Sequence, residues 1–458
     1  MTERFEIVEK AILSMLESKQ YSALRQMLLT MNPVDIAAVF SELEEQQIPL
    51  LFRLLPKETA AEAFAEMELE AQEVLIRGFS DNELKALLDE LYADDAAELV
   101  EELPASVVKR ILKQADPEMR KAINQILRYP ENSAGSIMTT EYVSLRPEMT
   151  VEESILRIRR QGVDKETIYT CYVTAGRKLL GLVTVKDLLL CEDDETPVSE
   201  IMLTNVFSVN THDDQEEVAR IFARYNFMAL PVVDTENRMV GIVTFDDAMD
   251  VIQEETTEDL EMMGGMLPSE KTYLRSSAFE LFKNRIPWLL LLMVSATFTG
   301  MIINSFEGAL AAQAALTAFI PMLMGTGGNS GSQSSVTIIR ALSLDELRFS
   351  DLPRVIWKEI RTAVLCGVAL SVACFAKIWL IDRLLLGNEA ITLLVDAVVS
   401  LSLLATVIAA KLVGAVLPLA AKAMKLDPAV MASPFITSIV DALSLLLYFL
   451  FARLLLGV

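Results

Sequence analysis

The distribution of apolar residues divides the chain near residue 280, with short apolar stretches before this point and long ones after it. A helix needs about 20 consecutive apolar residues to cross a lipid bilayer. By this measure the second part is predicted to form five membrane spans: Ile286–Ile303, Ala309–Met324 with a continuation at Val336–Leu342, Ala363–Leu380, Ile391–Ala420 and Val430–Leu456. The first part is predicted to be soluble.

The second predicted span contains a polar, glycine-rich run, PMLMGTGGNSGSQSSV, at Pro321–Val336. Backbone polar groups at membrane depth must be satisfied inside the protein, so this run is not expected to face lipid. It predicts a broken backbone that lines a water-filled cavity. The alternative is a seam of small residues along which two helices pack closely.

The last predicted span contains a carboxylate. Pro434–Phe449 reads PFITSIVDALSLLLYF, in which Asp441 is the one charged residue. A carboxylate near the middle of a membrane helix costs roughly 2.5–3.5 kcal/mol on insertion scales and usually faces a bundle interior or an aqueous path. Asp441 is therefore a candidate ion site, with a hydrogen-bonded packing carboxylate as the alternative.

Residues 1–130 have apolar positions at helical spacing, with proline or aspartate between them, and are predicted to form a helical domain. A short motif recurs at steps of 23, 24 and 12 residues: DIAAVF from Asp35, ETAAEAF from Glu58, NELKALL from Asn82 and DDAAELV from Asp94. The repeat predicts stacked helix pairs of about 24 residues. Asp94 and Asp95 lie at the predicted start of a helix, and helix capping is a sufficient reason for carboxylates at that position.

Residues 131–252 alternate short β-branched runs with helices, and two halves of this segment align. GLVTVKDLL from Gly181 matches GIVTFDDAM from Gly241, and each half reads strand, helix, strand, strand, helix. This doubled signature resembles a tandem CBS-domain pair, an α/β module that often binds adenine nucleotides. The resemblance implies that ATP or another adenine nucleotide contacts a small set of residues: Lys186, Asp187, Pro231 and Thr244. A purely structural pair is the alternative.

An acidic helix is predicted at Asp246–Glu261, and residues 253–280 are interpreted as the connecting segment to the membrane half. A run of like charges is usually a solvated helix face. Its position as the sole link between a sensor-like module and a membrane module favours a role in transmitting a signal.

Net charge separates the same two parts of the chain. Residues 1–280 have a net charge of −27 and residues 281–458 a net charge of +3, against −24 for the whole chain. The acidic excess argues against nucleic acid as a partner and favours cations. One histidine and four scattered cysteines disfavour zinc or copper handling. No G-x-x-x-x-G-K loop occurs, which argues against a nucleotide-driven pump.

The basic residues predict the orientation of the chain in the membrane, because Lys and Arg are enriched in cytoplasmic loops. Basic residues precede the first span, cluster between the second and third, and recur between the fourth and fifth at Lys422 and Lys425. The N-terminus also lacks an apolar signal region. We therefore expect a multi-pass plasma (inner) membrane protein with cytosolic N-terminal domains and the C-terminus outside.

Over nearly its full length the chain resembles the MgtE family of magnesium channels. The most specific segments are GTGGNSGSQSS with the following Ile-Ile-Arg, and LDPAVMASPFITSIVDALSLLLYF. The resemblance implies a multidomain membrane protein with an all-α superhelical N domain, an α/β CBS pair and a five-span pore domain at residues 281–458. It also implies a homodimer in a lipid bilayer, Mg²⁺ transport and no enzymatic activity. The implied pore residues are Asp441, Thr437, Gly325, Gly328, Asn329, Ser332 and Ser433.

The family resemblance further implies that cytosolic Mg²⁺ joins the soluble domains and the connecting helix and closes the pore. The carboxylates implied to bind this regulatory Mg²⁺ are Asp95, Asp214, Glu216, Asp247, Asp250, Glu255, Glu258, Asp259 and Asp427. Two other functions stay open from the sequence. One is a CBS-regulated transporter of another divalent cation, such as Co²⁺ or Mn²⁺, or of another solute. The other is a non-transporting sensor, which has no use for a charged membrane span.

Overall fold

The computed structural model describes residues 2–41, 43–269, 273, 276–388, 390–431 and 433–457. It divides the chain into two compact units, a soluble unit at Met1–Gln253 and a membrane unit at Glu254–Val458.

The first part of the soluble unit is entirely helical within the described residues, which confirms the predicted all-α domain. Its helices are α1 (Thr2–Glu17), α2 (Tyr21–Leu28), α3 (Pro33–Ser41), α4 (Ile48–Phe52), α5 (Lys57–Ala65), α6 (Leu69–Gly78), α7 (Asp81–Leu88), α8 (Ala93–Glu102), α9 (Ala105–Gln114) and α10 (Pro117–Ile126).

The repeated motif has a direct structural counterpart. Its first three copies lie in α3, α5 and α7, and α3 packs on α5, α5 on α7, and α7 on α9. The apolar side chains of α1–α10 form one continuous core. Within it the Phe52 ring centroid lies 6.1 Å from that of Phe40, 6.3 Å from that of Phe64 and 5.3 Å from that of Phe79. Each repeat therefore buries its apolar face against the next repeat.

The second part of the soluble unit is the predicted α/β module with two alike halves. The first half contains β1 (Tyr142–Leu145), α11 (Val151–Gln161), β2 (Thr167–Ala175), β3 (Lys178–Thr184), α12 (Val185–Leu190) and α13 (Val198–Ile201). The second contains β4 (Val209–Asn210), α14 (Gln215–Tyr225), β5 (Ala229–Val233), β6 (Met239–Thr244) and α15 (Phe245–Met263). In each three-stranded sheet the first strand pairs parallel to the second, and the second antiparallel to the third.

The doubled sequence signature builds the same helix start in both halves. The Thr184 hydroxyl accepts a hydrogen bond from the Asp187 amide at 3.1 Å, and the Thr184 amide donates to the Asp187 carboxylate at 3.1 Å. Thr244 donates in the same way to the Asp247 carboxylate, at 3.3 Å from its amide. In both halves these contacts satisfy N–H groups that would otherwise be unpaired at a helix start, and in the first half they are reciprocal.

The membrane unit consists of long helices. The long helices are α16 (Ala278–Ser305), α18 (Ile320–Ser343), α19 (Leu352–Lys377), α20 (Leu393–Ala423) and α21 (Ser433–Leu456). The short helix α17 (Glu307–Ala312) follows α16, and α19 continues as a π-helix over Ile378–Leu385. Among the described residues, four segments are long and apolar enough to span a membrane: Ala278–Ser305, Phe349–Leu385, Leu393–Ala423 and Pro428–Leu456. The remaining long helix, α18, has 24 residues and contains the polar run.

The predicted break in the second span is wrong, because α18 is one continuous helix through Pro321–Val336. Gly327, Gly328 and Gly331 lie at close helix contacts and do not open the backbone. A Cβ on Gly327 would lie 2.7 Å from the Thr406 methyl group, and one on Gly331 would lie 3.1 Å from the Ala410 carbonyl oxygen. The alternative considered from the sequence, a packing seam of small residues, is what the structure contains.

The tightest point of this seam joins α18 and α20. A Cβ added to Gly414 would overlap the carbonyl oxygen of Gly331, a backbone atom that moves only if a helix moves. We expect Gly414→Ala to destabilise the membrane unit by about 1–3 kcal/mol through overpacking. The melting temperature of the purified full chain in detergent measures this loss.

Gly300→Ala is the matched control, because within the described residues nothing lies within 4 Å of a Cβ at that α16 position. This variant should keep or slightly raise the melting temperature, since Ala favours a helix over Gly. Equal melting temperatures for the two variants would contradict the close contact of α18 with α20.

Candidate functional site

The first candidate site centres on Asp441, in the first half of α21. Its side chain is half-buried, and its Oδ1 atom is buried without a hydrogen-bond partner among the described residues. Leaving a buried carboxylate oxygen unpaired is costly, because the desolvation of the charge is not compensated. The packing alternative, a carboxylate satisfied by neighbouring donors, therefore does not account for this oxygen.

The next residues of the site come from α18 and from the preceding turn of α21. Thr437 lies four residues before Asp441, on the same helix face. Gly328 of α18 lies opposite, where an added Cβ would be 2.8 Å from the Thr437 methyl carbon. Gly328 and Thr437 therefore meet at the contact between α18 and α21, and Asp441 lies one turn further along α21.

The other predicted pore residues fall into two groups. Gly325 and Asn329 are exposed on one side of α18, and within the described residues nothing lies within 4 Å of a Cβ at Gly325. Ser332 is half-buried on the same helix. The Ser433 side chain lies outside the described residues. Gly325, Asn329 and Ser332 thus form an open stripe on α18 beside the Gly328–Thr437 contact, with Asn329 as its exposed polar side chain.

A second candidate site is an acidic cluster inside the soluble unit. Burial and the neighbouring carboxylates, Asp247 first among them, raise the pKa of Asp95 to about 7 and the pKa of Glu166 to about 8. Burial and Asp246 raise the pKa of Asp247 to about 6, although hydrogen bonds from Thr244 lower it. The helical domain and the α/β module thus bring carboxylates together at one place.

Sequence reasoning missed part of this cluster. Burial, followed by Asp247, raises the pKa of Asp94 well above its usual range, and its Oδ1 atom has no hydrogen-bond partner in the described part of the chain. Glu166 Oε2 is unpaired in the same sense. Burial, followed by Asp250, raises the pKa of Glu66. Helix capping therefore does not explain the buried carboxylate of Asp94. Only the tertiary structure brings residues 66, 94 and 166 next to α15.

The two predicted regulatory residues at the start of α14 have local partners. The Asp214 carboxylate accepts the Glu216 amide hydrogen bond at 2.9 Å and caps the helix. Glu216 forms an ion pair with Arg220 at 3.1 Å. Helix capping and this pairing account for their positions without a metal ion.

Further predicted regulatory residues lie in the membrane unit, where α15 approaches the C-terminal end of α18 and the segment before α21. Asp259 accepts a hydrogen bond from the Ser343 hydroxyl of α18 at 3.3 Å. Burial, followed by Asp427 and Asp259, raises the pKa of Glu258. Glu255 precedes Glu258 by one turn on the same face. The end of α15 is therefore next to both α18 and the segment before α21.

In the described part of the chain, no three His, Cys, Asp or Glu side chains are arranged as a ready-made metal site. A metal ion bound at either acidic region would therefore need water or side-chain movement to complete its coordination. Mg²⁺ tolerates this, since it usually keeps several waters and uses one or two carboxylates.

The predicted nucleotide contacts lie at strand ends and helix starts of the α/β module. Lys186 and Asp187 are exposed in the first turn of α12, whereas Pro231 and Thr244 are buried in β5 and β6. An exposed aromatic group escaped sequence reasoning: the rings of Phe207, Tyr225 and Phe227 lie 4.7–5.7 Å apart. Such ring faces can stack on a nucleobase.

The membrane unit also buries three ionisable residues that sequence reasoning passed over. Glu359, Asp396 and Lys411 are 9%, 1% and 5% exposed, respectively. Asp396 and Lys411 lie inside the predicted fourth span, and charged residues there were a usable signal. Glu359 was hidden because the predicted third span began at Ala363, after a cluster of basic residues.

Comparison with known families matches three parts of the chain. A family model described as the MgtE divalent cation transporter matches residues 320–451. The MgtE intracellular N domain matches residues 31–132, and CBS domains match residues 134–192 and 198–254.

Two curated relatives cover almost the whole chain. The magnesium transporter MgtE of Thermus thermophilus is 38% identical over 98% of this chain and 99% of its own length. The protein of the same name from Bacillus subtilis is 33% identical over 96% of this chain and 95% of its own length.

Two solved structures resemble the soluble part. The cytosolic domain of the Mg²⁺ channel MgtE in complex with ATP is 39% identical over 53% of this chain, with a TM-score of 0.50. The soluble part of a magnesium transporter is 31% identical over 55% of this chain, with a TM-score of 0.51. These relatives match the chain along nearly its full length. The chain therefore belongs to the MgtE family, which is a family of membrane cation transporters and not of enzymes.

Proposed function

We propose that the chain is a Mg²⁺-selective channel, without enzymatic activity, that admits magnesium across the plasma membrane and closes when cytosolic Mg²⁺ is abundant. The observation on which this rests is the buried, unpaired Oδ1 atom of Asp441 in a membrane helix. The full-length relatives named as magnesium transporters support the identity of the ion.

The chemistry at Asp441 suits a hydrated cation. Mg²⁺ loses water reluctantly, so a filter for it needs few direct ligands and many polar groups that accept hydrogen bonds from its water shell. Asp441 supplies the charge, and the Thr437 hydroxyl and the polar stripe of α18 supply neutral oxygens. Rings of carboxylates are common filters for cations. Two copies of Asp441 across the axis of a homodimer form the smallest such ring.

The membrane arrangement follows from the same proposal. The bilayer surrounds α16 and α18–α21, the soluble unit is cytosolic, and the C-terminus is outside, in agreement with the positions of the basic residues. Transport is downhill, driven by the membrane potential at about 2.3 kcal/mol per charge per 100 mV.

Gating uses the acidic cluster and α15. Without Mg²⁺ the carboxylates around Asp95 and Asp247 repel each other, and bound Mg²⁺ removes this repulsion. The helix that contains Asp247 and Asp250 also contains Glu258 and Asp259, and Asp259 contacts α18 through Ser343. One continuous helix thus links the sensing carboxylates to a pore-lining helix. An adenine nucleotide at the CBS pair would modulate this sensor, as the ATP-bound structure of the related cytosolic domain suggests.

The filter assignment predicts that Asp441→Asn lowers Mg²⁺ flux into liposomes by about tenfold or more, since a loss of about 1.4 kcal/mol of ion stabilisation has that effect. The reason is that the amide removes the charge and keeps the size of the side chain. Glu307→Gln, at an exposed carboxylate of α17, is the control and should keep wild-type flux.

Comparing Mg²⁺, Mn²⁺ and Co²⁺ in the same liposomes separates the proposal from a transporter of another divalent cation. Wild-type Mg²⁺ flux in Asp441→Asn would refute the filter. Faster Mn²⁺ or Co²⁺ flux in the wild type would favour the alternative substrate.

The gating proposal predicts that Mg²⁺ protects α15 from a glutamate-specific protease, because ion binding fixes the helix that contains Glu254, Glu255 and Glu258. Asp247→Asn should need several times more Mg²⁺ for half-maximal protection, as one carboxylate ligand is lost. Glu236→Gln, at an exposed ion pair with Arg238, should behave as the wild type. Cleavage independent of Mg²⁺ in the wild type would contradict gating through α15.

The acidic cluster also predicts a pH dependence. The pKa values of Asp247, Asp95 and Glu166 are raised to about 6, 7 and 8, so the folded protein holds protons that the unfolded chain releases at lower pH. Their contribution to stability is present below the ordinary carboxyl pKa and is lost as the pH rises through about 6 to 8.

We expect the first calorimetric transition of the full chain in EDTA to fall on the order of 5 °C between mildly acidic and mildly alkaline pH. Saturating Mg²⁺ should reverse most of this fall at alkaline pH, because it replaces the missing protons. Glu200→Gln, an exposed control, should leave the profile unchanged. A transition that is independent of both pH and Mg²⁺ would show that the cluster is not a sensor.

A further inference from the structure

Three membrane helices are joined by a buried polar network that lies away from Asp441. The Ser334 hydroxyl of α18 donates a hydrogen bond to Glu359 Oε2 of α19 at 2.7 Å. The Lys411 ammonium of α20 donates to the same hydroxyl at 3.4 Å. The three residues are 3%, 9% and 5% exposed, so the network is enclosed by protein.

Packing alone does not explain this network. Two opposite charges inside a membrane protein carry a large desolvation penalty, and apolar side chains of similar volume often give equal or greater stability. An ionisable residue in a membrane helix is therefore a functional hypothesis, with its partner identified. Here the partner of Lys411 is Glu359, and Ser334 connects them.

The network lies on the side of α18 that is opposite to its open stripe. Ser334 follows Gly325 by nine residues, and at about 100° per residue this places the two on opposite sides of the helix. Gly325 and Asn329 are exposed, and Ser334 is buried. A contact at Ser334 therefore fixes the direction in which Asn329 points.

The neighbouring helix contact cannot do this by itself. Gly331 lies against the Ala410 carbonyl, one residue before Lys411, and brings α18 close to α20. A glycine contact sets distance, because it has no side chain that favours one rotation over another. The hydrogen bonds of Ser334 are directional, and so they select the rotation of α18.

We propose that Glu359 and Lys411 are positioning residues, which act through Ser334 to hold α18 in the rotation that turns Asn329 toward the ion path. This inference rests on the proposed function, since it takes the open stripe of α18 as the wall of that path. Neither charged residue touches the ion.

The test measures the rotation of α18 directly, in the full-length chain with its four cysteines replaced: Cys171, Cys191, Cys366 and Cys374. Asn329→Cys reports the open side, and Ser330→Cys, at a position 7% exposed, reports the packed side. A membrane-impermeant thiol reagent should label the first and spare the second. Adding Glu359→Gln should lower labelling at residue 329 at least severalfold and raise it at residue 330.

Two further variants keep the test decisive if Glu359→Gln folds poorly with Lys411 left unpaired. Glu359→Gln combined with Lys411→Met removes both charges, leaves no charge unpaired and should still show the shifted labelling pattern, because neither positioning residue remains. Ser334→Ala keeps both charges and removes the connection, and it should alter labelling as Glu359→Gln does. Glu346→Gln, at an exposed residue after α18, is the control and should change nothing.

The outcomes separate the two proposals. If residue 329 is labelled in the parent, and Glu359→Gln and Ser334→Ala leave this labelling unchanged, the positioning network is overturned. The proposed pore wall is not affected by that result. Absence of labelling at residue 329 in the parent means that the open stripe does not face water, which contradicts the proposed pore wall as well. Labelling that shifts in both variants and stays shifted in the double variant supports the network. Labelling that returns to the parent pattern in the double variant means that the unpaired Lys411 charge moved α18, and this overturns the positioning network.

Discussion

A charge inside a membrane protein must meet an opposite charge, a proton or water, and this constraint orders the membrane unit. Glu359 and Lys411 meet it by facing each other through Ser334. Asp441 does not, because among the described residues its Oδ1 atom has no partner. This contrast is the basis of the two proposed roles: the Glu359–Lys411 pair is proposed to hold helices in place, and Asp441 is proposed to attract a cation.

The same helices must also approach closely enough to present Asp441 beside neutral oxygens. Glycines in α18 and α20 permit this, since Gly331 and Gly414 bring two backbones into contact where any side chain would separate them. In the soluble unit the problem is reversed: carboxylates around Asp247 are brought together against their repulsion. One region stores electrostatic repulsion and the other is a fixed scaffold, and α15 connects the two along the chain.

Much of this could be predicted from sequence because the signals were local. The 24-residue repeat became the α3–α5–α7 stack. The doubled G-x-V-T-x-x-D signature became a capping box in the first half and the matching Thr244–Asp247 contact in the second. The broken second span was predicted wrongly because glycine in a sequence favours both a break and a close contact, and only the presence of α20 decides between them. Asp94 and Glu166 were missed for a related reason. They are far apart in the sequence, and only the folded structure brings their carboxylates to the same cluster.

We propose that two copies of Asp441 share one ion path. Heterodimers that contain one wild-type copy and one Asp441→Asn copy test it most directly, isolated through two different affinity tags and measured for Mg²⁺ flux in liposomes. A shared filter loses half of its charge at a single site, so we expect flux far below half of the wild-type value. Flux equal to half of the wild-type value would mean that each copy conducts independently, and would contradict the paired filter.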